Sequence, residues 1–490
     1  MKRLVIVSNR GPVQHRKTDA GRVADRGPGG LVSALSSLPA LGVGGVWVCA
    51  ALSEADREVA AESDGRAIDV PSYAQGSMRV RMIEHDPEVF EDAHHGFSNS
   101  LLWFLQHQLW GWGSDPTIGP SSYESFEAYR AVNQTFADAA AEEVRRLSAS
   151  DEAPAVMLHD YHLYLAPGMV RAQVPEAVIQ LFVHIPWPAF DAWRALPRTF
   201  VEDILRGLLG CDVVAFQTEH YAQCFIQTAQ HYLGLPLDSA GNLVAPDGRI
   251  VRVAWYPISV DVDSISAITR EGVTRIEREE LAARRTEKLI VRVDRADPSK
   301  NIYRGFQAYE LMLELYPEWF ARVGFHALVQ PSRSNIPIYA DYLEQLEAIA
   351  KRINDRFGTR TWTPVTLIVG ESLPRAVAAF QEYDVLLVNP VADGLNLVAK
   401  EGVLVNERAG VLVLSETAGV YEEIGAFTLG VNPFDILDQA QTLHRALSMP
   451  EDQRRALAMA CKEVVLRNDL DRWLGEQLRD LDRIRSTRAS

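Results

Sequence analysis

Cysteine is scarce in this sequence: Cys49, Cys211, Cys224 and Cys461 are all there is, with no CxxC pair. A disulfide framework and a zinc site of the usual spacing are therefore not expected, and a reducing compartment is. Long apolar runs are missing too, so no membrane span is expected. The strand-like run after Met1-Lys2-Arg3 gives way at Asn9-Arg10, too soon for a secretory signal, which makes a cytoplasmic protein the expectation. Basic charge is in deficit, with 49 Lys and Arg against 65 Asp and Glu and a formal net charge of −16. Such a surface repels nucleic acid and anionic lipid, so neither is expected as a partner, while a homo-oligomer stays open. Any anionic substrate must then be held by a few local cations against the global field. Internal repeats and low-complexity stretches are absent as well.

What is present is alternation. Short β-branched runs at 4–8, 46–49, 78–83, 155–159, 178–184, 213–218 and 250–256 alternate with amphipathic helical patterns, apart from a charged loop after Pro12. A second series follows at 289–293, 325–329, 365–369, 385–388, 411–414 and 428–431. Continuous apolar strands between helices predict parallel sheets covered on both faces, and two series predict two doubly wound α/β domains. The expected division is 1–257, 258–468 and a terminal helix in 469–490, which can pack back on the first domain. In that helix Trp473, Leu474, Leu478, Leu481 and Ile484 recur at helical spacing and need a surface to cover. Open α/β sheets bind ligands beyond the carboxyl ends of their strands, so the expected site is a cleft between facing domains, lined by strand-end residues.

Those residues are polar and cationic where it matters. Ser8-Asn9-Arg10 ends the first strand, and Gly27-Pro28-Gly29-Gly30 opens a helix, as a phosphate-approaching loop or a plain turn. His159-Asp160-Tyr161-His162 and His184-Ile185-Pro186-Trp187 follow two further strands, a mixture of polar and flat side chains suited to sugars. Beyond the first strand of the second series stand Arg295 and Lys300, five residues apart and placed to clamp a diphosphate through charge-assisted hydrogen bonds. Gln330-Pro331-Ser332-Arg333 adds a cation, and Asp393-Gly394-Leu395-Asn396-Leu397-Val398 is a turn feeding a helix that contains Glu401.

This ordered set resembles the trehalose-6-phosphate synthase family, retaining transferases of the GT-B fold with two Rossmann-like domains. The likeness rests on Phe97-Ser98-Asn99 with Leu102-Trp103, His159-Asp160-Tyr161-His162, His184-Ile185-Pro186, Asp294-Arg295, Ser299-Lys300, Asp393-Gly394, Asn396 to Glu401 and Leu414-Ser415-Glu416. It implies transfer of glucose from a nucleotide diphosphate glucose to glucose 6-phosphate without a metal or other cofactor. The donor would meet Gly29, Gly30, Arg295, Lys300, Gly394, Leu395, Asn396, Leu397 and Val398, with Glu401 on the ribose. His184 and Asp393 would hold the transferred glucose. Arg10 and Arg333 would bind the acceptor phosphate, with Trp47, Trp103 and Asp160 around the acceptor sugar. The family also contains enzymes that couple cyclitols, enzymes that glucosylate glycerol 3-phosphate, and silent sugar-phosphate sensors.

The sequence departs from the family in places. The usual Asp-Tyr-Ser-Lys-Gly reads Asp297-Pro298-Ser299-Lys300-Asn301, the usual Arg before Asp-Gly is Ala392, and a Tyr near the acceptor phosphate aligns with His94. A Leu that packs on uracil aligns with Ala376, which leaves room for a purine. Glu371 could accept two hydrogen bonds from guanine or cap the following helix, so GDP-glucose is favoured over UDP-glucose.

Overall fold

The computed structural model describes residues 3–489 apart from 20, 28–29, 36–37, 39–41, 71–77, 112–114, 150–152 and 334–335. It divides into two compact units, Met1–Pro257 with Asp471–Ser490, and Ile258–Leu470.

In the first unit the strands are β1 (Arg3–Ser8), β2 (Val13–Thr18), β3 (Gly21–Arg26), β4 (Gly44–Ala50), β5 (Met78–Ile83), β6 (Ala155–His159), β7 (Val178–Phe182), β8 (Val213–Phe216), β9 (Leu243–Val244) and β10 (Ile250–Trp255). Eight of them form one sheet in the order β5-β4-β1-β6-β7-β8-β10-β9. All its pairings are parallel except β9 on β10. Central strands such as β1, β4, β6 and β7 are buried nearly throughout, as expected of parallel strands covered on both faces. The charged segment after Pro12 is not a loop: β2 and β3 pair as a separate antiparallel hairpin. Its side chains are mostly exposed, which is why no apolar pattern marks it. The Leu470–Ala489 helix lies on this unit through Trp473, Leu474 and Leu481, all nearly fully buried. Gln477 accepts from Gln180 at 2.7 Å, and the Trp473 indole donates to the Tyr256 carbonyl at 3.1 Å.

The second unit contains β11 (Lys288–Arg295), β12 (Val323–Gln330), β13 (Val365–Val369), β14 (Val385–Val388), β15 (Val411–Ser415) and β16 (Leu429–Val431). They form an all-parallel sheet in the order β13-β12-β11-β14-β15-β16. In each unit the chain leaves the first strand in one direction and later returns to its other side, the doubly wound pattern. The strand order therefore reverses between β1 and β6 and between β11 and β14, and ligands of such sheets bind at the carboxyl ends there.

Candidate active site

The carboxyl end of β11 is built around a buried guanidinium. Arg292, fully buried, donates from Nε to Asp294 Oδ2 at 2.8 Å and from Nη2 to the carbonyl oxygen of Lys300. Gly305 makes room for it, since a Cβ there would lie 2.4 Å from Arg292 Nη1. Burial raises the pKa of the Asp294 carboxyl, against the pull of Arg292 and Lys300. Asp297, also fully buried, caps the next turn by accepting from Ser299 N at 2.9 Å, and its other oxygen takes Arg333 Nη1 at 3.0 Å. Arg333 Nη1 also reaches the Tyr339 hydroxyl at 2.7 Å.

The two departures in this turn fit its geometry. Pro298 opens the Pro298–Lys300 3-10 turn, where a missing N–H costs nothing. Asn301 has φ 58° and ψ 34°, the left-handed region that asparagine tolerates best after glycine. Its side chain adds anchors that glycine lacks, donating to the Asn389 carbonyl at 2.9 Å and the Pro433 carbonyl at 2.7 Å. Asn301→Ala is expected to cost about 2–3 kcal/mol, from backbone strain and two lost hydrogen bonds, and Asn301→Gly less. Urea unfolding of the two variants checks the order; equal losses would mean that the backbone conformation contributes nothing.

Lys300 Nζ is ion-paired with Asp393 Oδ2, and Asn396 Nδ2 donates to the same oxygen at 3.0 Å. Asn396 also caps the Leu397–Val405 helix by accepting from Ala399 N at 3.1 Å. Arg295 ends β11, and Gly394, Leu395, Leu397 and Val398 flank Asn396 in the segment that follows β14. The N-terminal N–H groups of the helix give an anion a second set of donors. Glu401 lies one turn further on, half-buried, and desolvation pushes its carboxyl up to about 7. Glu371 follows β13 and is exposed; the cap of the Leu373–Glu382 helix is Ser372, which accepts from Arg375 N at 3.3 Å. Ala376 is buried in the first turns of that helix.

In the first unit Arg10 follows β1, and Arg10 and His94 line one cavity of about 350 Å³ with Arg57, His85 and His95. His94 sits in an 11-residue π-helix, Asp92–Leu102, a rare conformation that gathers at functional sites. It stacks on His162 with ring centroids 5.2 Å apart. Trp103, mostly buried, follows this segment and stacks on His107. Asp160 follows β6 with φ 76°, a strained backbone for a non-glycine residue, and its Oδ1 accepts from His184 N at 3.2 Å. Desolvation lowers His184 well below the ordinary imidazole pKa and His159 to about 3, so both rings are neutral at physiological pH. His184 Nε2 meets His159 Nδ1 at 3.1 Å, and Gln217 meets its Nδ1 at 3.1 Å.

Trp47 is fully buried on β4, where its indole donates to Ser8 Oγ at 2.7 Å. Gly30 starts the Gly30–Leu35 helix and is exposed, whereas Gly29 lies outside the described residues. Sequence reasoning missed Arg292 and Asp297. The available signal was charge inside the apolar run Leu289 to Arg295, with Arg292 and Asp294 on one strand face.

The glycosyltransferase family 20 profile matches residues 2–483. The chain belongs to glycosyltransferase family 20. A solved structure described as trehalose-6-phosphate from E. coli bound with UDP-2-fluoro glucose has 27% identity and a TM-score of 0.81, covering 98% of this chain and 99% of that one. A UDP-forming alpha,alpha-trehalose-phosphate synthase from Burkholderia xenovorans, in complex with glucose-6-phosphate, has 30% identity and a TM-score of 0.79 over 98% of this chain and 100% of that one. Family 20 members also occur in longer proteins. The chain is 33% identical to a bifunctional trehalose-6-phosphate synthase/phosphatase of Thermoproteus tenax, with 96% of the chain matched and 62% of the length of that relative. The glycosyltransferase fold is GT-B, and among the described residues no helix is long and apolar enough to cross a membrane.

Proposed function

We propose that this family 20 enzyme transfers glucose from a nucleotide diphosphate glucose to glucose 6-phosphate, with retention, giving trehalose 6-phosphate and the free nucleoside diphosphate. The observation that carries the reading is the anchored Lys300–Asp393 pair beside Arg295 at the β11/β14 switch point. A cation for the leaving diphosphate is there joined to a carboxylate for sugar hydroxyls. The Arg10–His94 cavity supplies cationic and imidazole groups for the acceptor phosphate.

In the reaction the donor C1–O bond breaks and the departing diphosphate takes up the electron pair, stabilised by Arg295 and Lys300. The acceptor's anomeric oxygen bonds to C1 from the same face, and its proton passes to the leaving phosphate oxygen. The protein contributes position and preorganised charge. No metal is invoked, because the two side-chain cations neutralise the leaving group.

For the base, guanine is favoured by Glu371 and Ala376. The Glu371 carboxylate is exposed and not consumed as a helix cap, so it can accept the guanine N1–H and N2–H, which uracil cannot offer in that pattern. A UDP donor is the second reading, favoured by the UDP-forming name of the Burkholderia relative. Initial rates with GDP-glucose and UDP-glucose at equal concentration, with glucose 6-phosphate present and the product identified, test both the activity and the base. A faster UDP-glucose reaction left unchanged by Glu371→Gln would overturn the guanine assignment. A cyclitol-coupled or glycerol-containing product, or nucleotide release with no trehalose 6-phosphate, would overturn the activity.

Glu401 makes donor binding pH-dependent in a defined direction. Ribose hydroxyls donate to the carboxylate, so binding favours its ionised form, and protonation below about 7 competes with the donor. Donor KM is expected to rise roughly tenfold per pH unit below that pKa and to level off above it. The profile should flatten in Glu401→Gln; an identical slope in that variant would assign the dependence to another group.

A further inference from the structure

The second unit carries a cavity of about 550 Å³ at the amino ends of its strands, the opposite end of the sheet from Arg295 and Asp393. It opens beside Lys288, which starts β11, and beside Asp384 and Gly410, which precede β14 and β15. Val403, Leu412, Phe427 and Tyr383 give it an apolar floor. Gly410 is required there, since a Cβ would fall 2.2 Å from the Tyr383 ring. The rim segment that follows the Leu397–Val405 helix is held by Asn406. Its Oδ1 accepts from Arg408 N at 3.1 Å and Gly410 N at 2.7 Å, and its Nδ2 donates to the carbonyls of Phe380 and Tyr383, each at 3.0 Å.

On a chain of net charge −16, the polar wall of this cavity is over-supplied with cations. The lining cations Lys288 at 3.5 Å and Arg454 at 3.7 Å share the carboxylate of Asp384 with Arg285, at 2.6 Å, which does not line the cavity. Arg408 stands 3.7 Å from Glu382, which is already paired with Arg278 at 2.7 Å. Lys462 lines the cavity and acts electrostatically on the lining carboxylate Glu407. The other lining acids are already paired, Glu451 with Arg455 at 2.6 Å, Glu287 with Arg322 at 2.7 Å and Glu407 with Arg278 at 2.7 Å. The Arg454 side chain is 12% exposed, and its Nε is buried with no hydrogen-bond acceptor among the described residues. A buried N–H left unsatisfied is costly, so this one asks for an acceptor that the protein itself does not provide.

We propose that this cavity is a second ligand site, for a small phosphorylated molecule whose phosphate is held by Arg454, Arg408 and Lys462. Guanidinium forks match phosphate oxygens, and the apolar floor takes the body of the ligand. The concave shape and the acidic global field disfavour an anionic membrane surface as the source of the phosphate.

Calorimetric titration with inorganic pyrophosphate in 0.15 M salt tests this. The protein is the Arg10→Ala/Arg295→Ala/Lys300→Ala variant, so that the substrate sites do not contribute. One saturable site is expected, with Kd on the order of 1 mM or tighter. Adding Lys462→Glu should weaken it at least about tenfold, and Arg454→Ala should do the same. Lys462→Glu breaks no salt bridge within 4 Å among the described residues, so it keeps the test valid if Arg454→Ala unfolds through Asp384. No saturable binding up to roughly 10 mM, or binding that survives Lys462→Glu, overturns the proposal. Because the substrate cations are already gone, this outcome is independent of the proposed transfer reaction.

Discussion

Lys300→Ala is expected to lower turnover at least about a hundredfold, and Arg295→Ala to do likewise, with donor KM changing far less. A hundredfold loss is about 2.7 kcal/mol of transition-state stabilisation, the range found when one preorganised donor to a developing oxyanion is removed. Lys300 suits this role because its position is over-determined. Arg292 holds its carbonyl from below, Asp297 and Asn301 close the turn on either side, and Nζ is drawn to Asp393. The charge on the leaving diphosphate grows as the C1–O bond breaks, so a fixed cation gains more in the transition state than in the bound donor. Lys300→Ala also leaves Asp393 with Asn396 as its remaining neutral donor of the pair described, so thermal unfolding must be measured beside turnover. Near-wild-type turnover in a folded Lys300→Ala or Arg295→Ala enzyme would remove the cation pair from the mechanism.

The strands were legible because fully covered parallel strands must be apolar. Every β-branched run from Leu4 to Val431 that the patterning marks corresponds to a strand of the two sheets. The β2–β3 hairpin and the two-residue β9 were not, since neither presents an apolar face long enough to leave a pattern. The polar strand ends were legible for a related reason. Where a buried strand stops, the sequence changes from apolar to polar, as it does around Asn9-Arg10, His159-Asp160, Asp294-Arg295 and Asn389. What lay out of reach was pairing across long sequence separations. The indole N–H of Trp47 goes to the Ser8 hydroxyl, 39 residues away, a partner that no local pattern announces. The π-helix at Asp92–Leu102 has no compositional sign, because its residues are ordinary helix residues with one different hydrogen-bond register. The departures Pro298 and Asn301 needed dihedral angles to become intelligible: proline and asparagine are residues that this turn accepts.

Lys400 separates motif membership from chemical role. It sits between Ala399 and Glu401, in the stretch that supports the family resemblance, yet its side chain is 1% exposed and Nζ points to Glu423 at 2.6 Å and to the Ile258 carbonyl at 2.9 Å. Burial lowers its pKa, and Glu423 offsets only part of that. Lys400→Ala is expected to destabilise the protein by about 3–5 kcal/mol, because Glu423 is then a buried carboxylate without its cation and the Ile258 carbonyl loses a donor. Removing both charges in Lys400→Met/Glu423→Gln should restore much of that loss, since a buried pair gains little over well-packed neutral groups. Urea unfolding of the single and double variants measures the difference. In whatever fraction stays folded, turnover should remain within a few-fold of wild type, because the ammonium faces the interior of the second unit. A hundredfold loss of turnover in a Lys400 variant of unchanged stability would instead put this lysine among the groups that touch the donor.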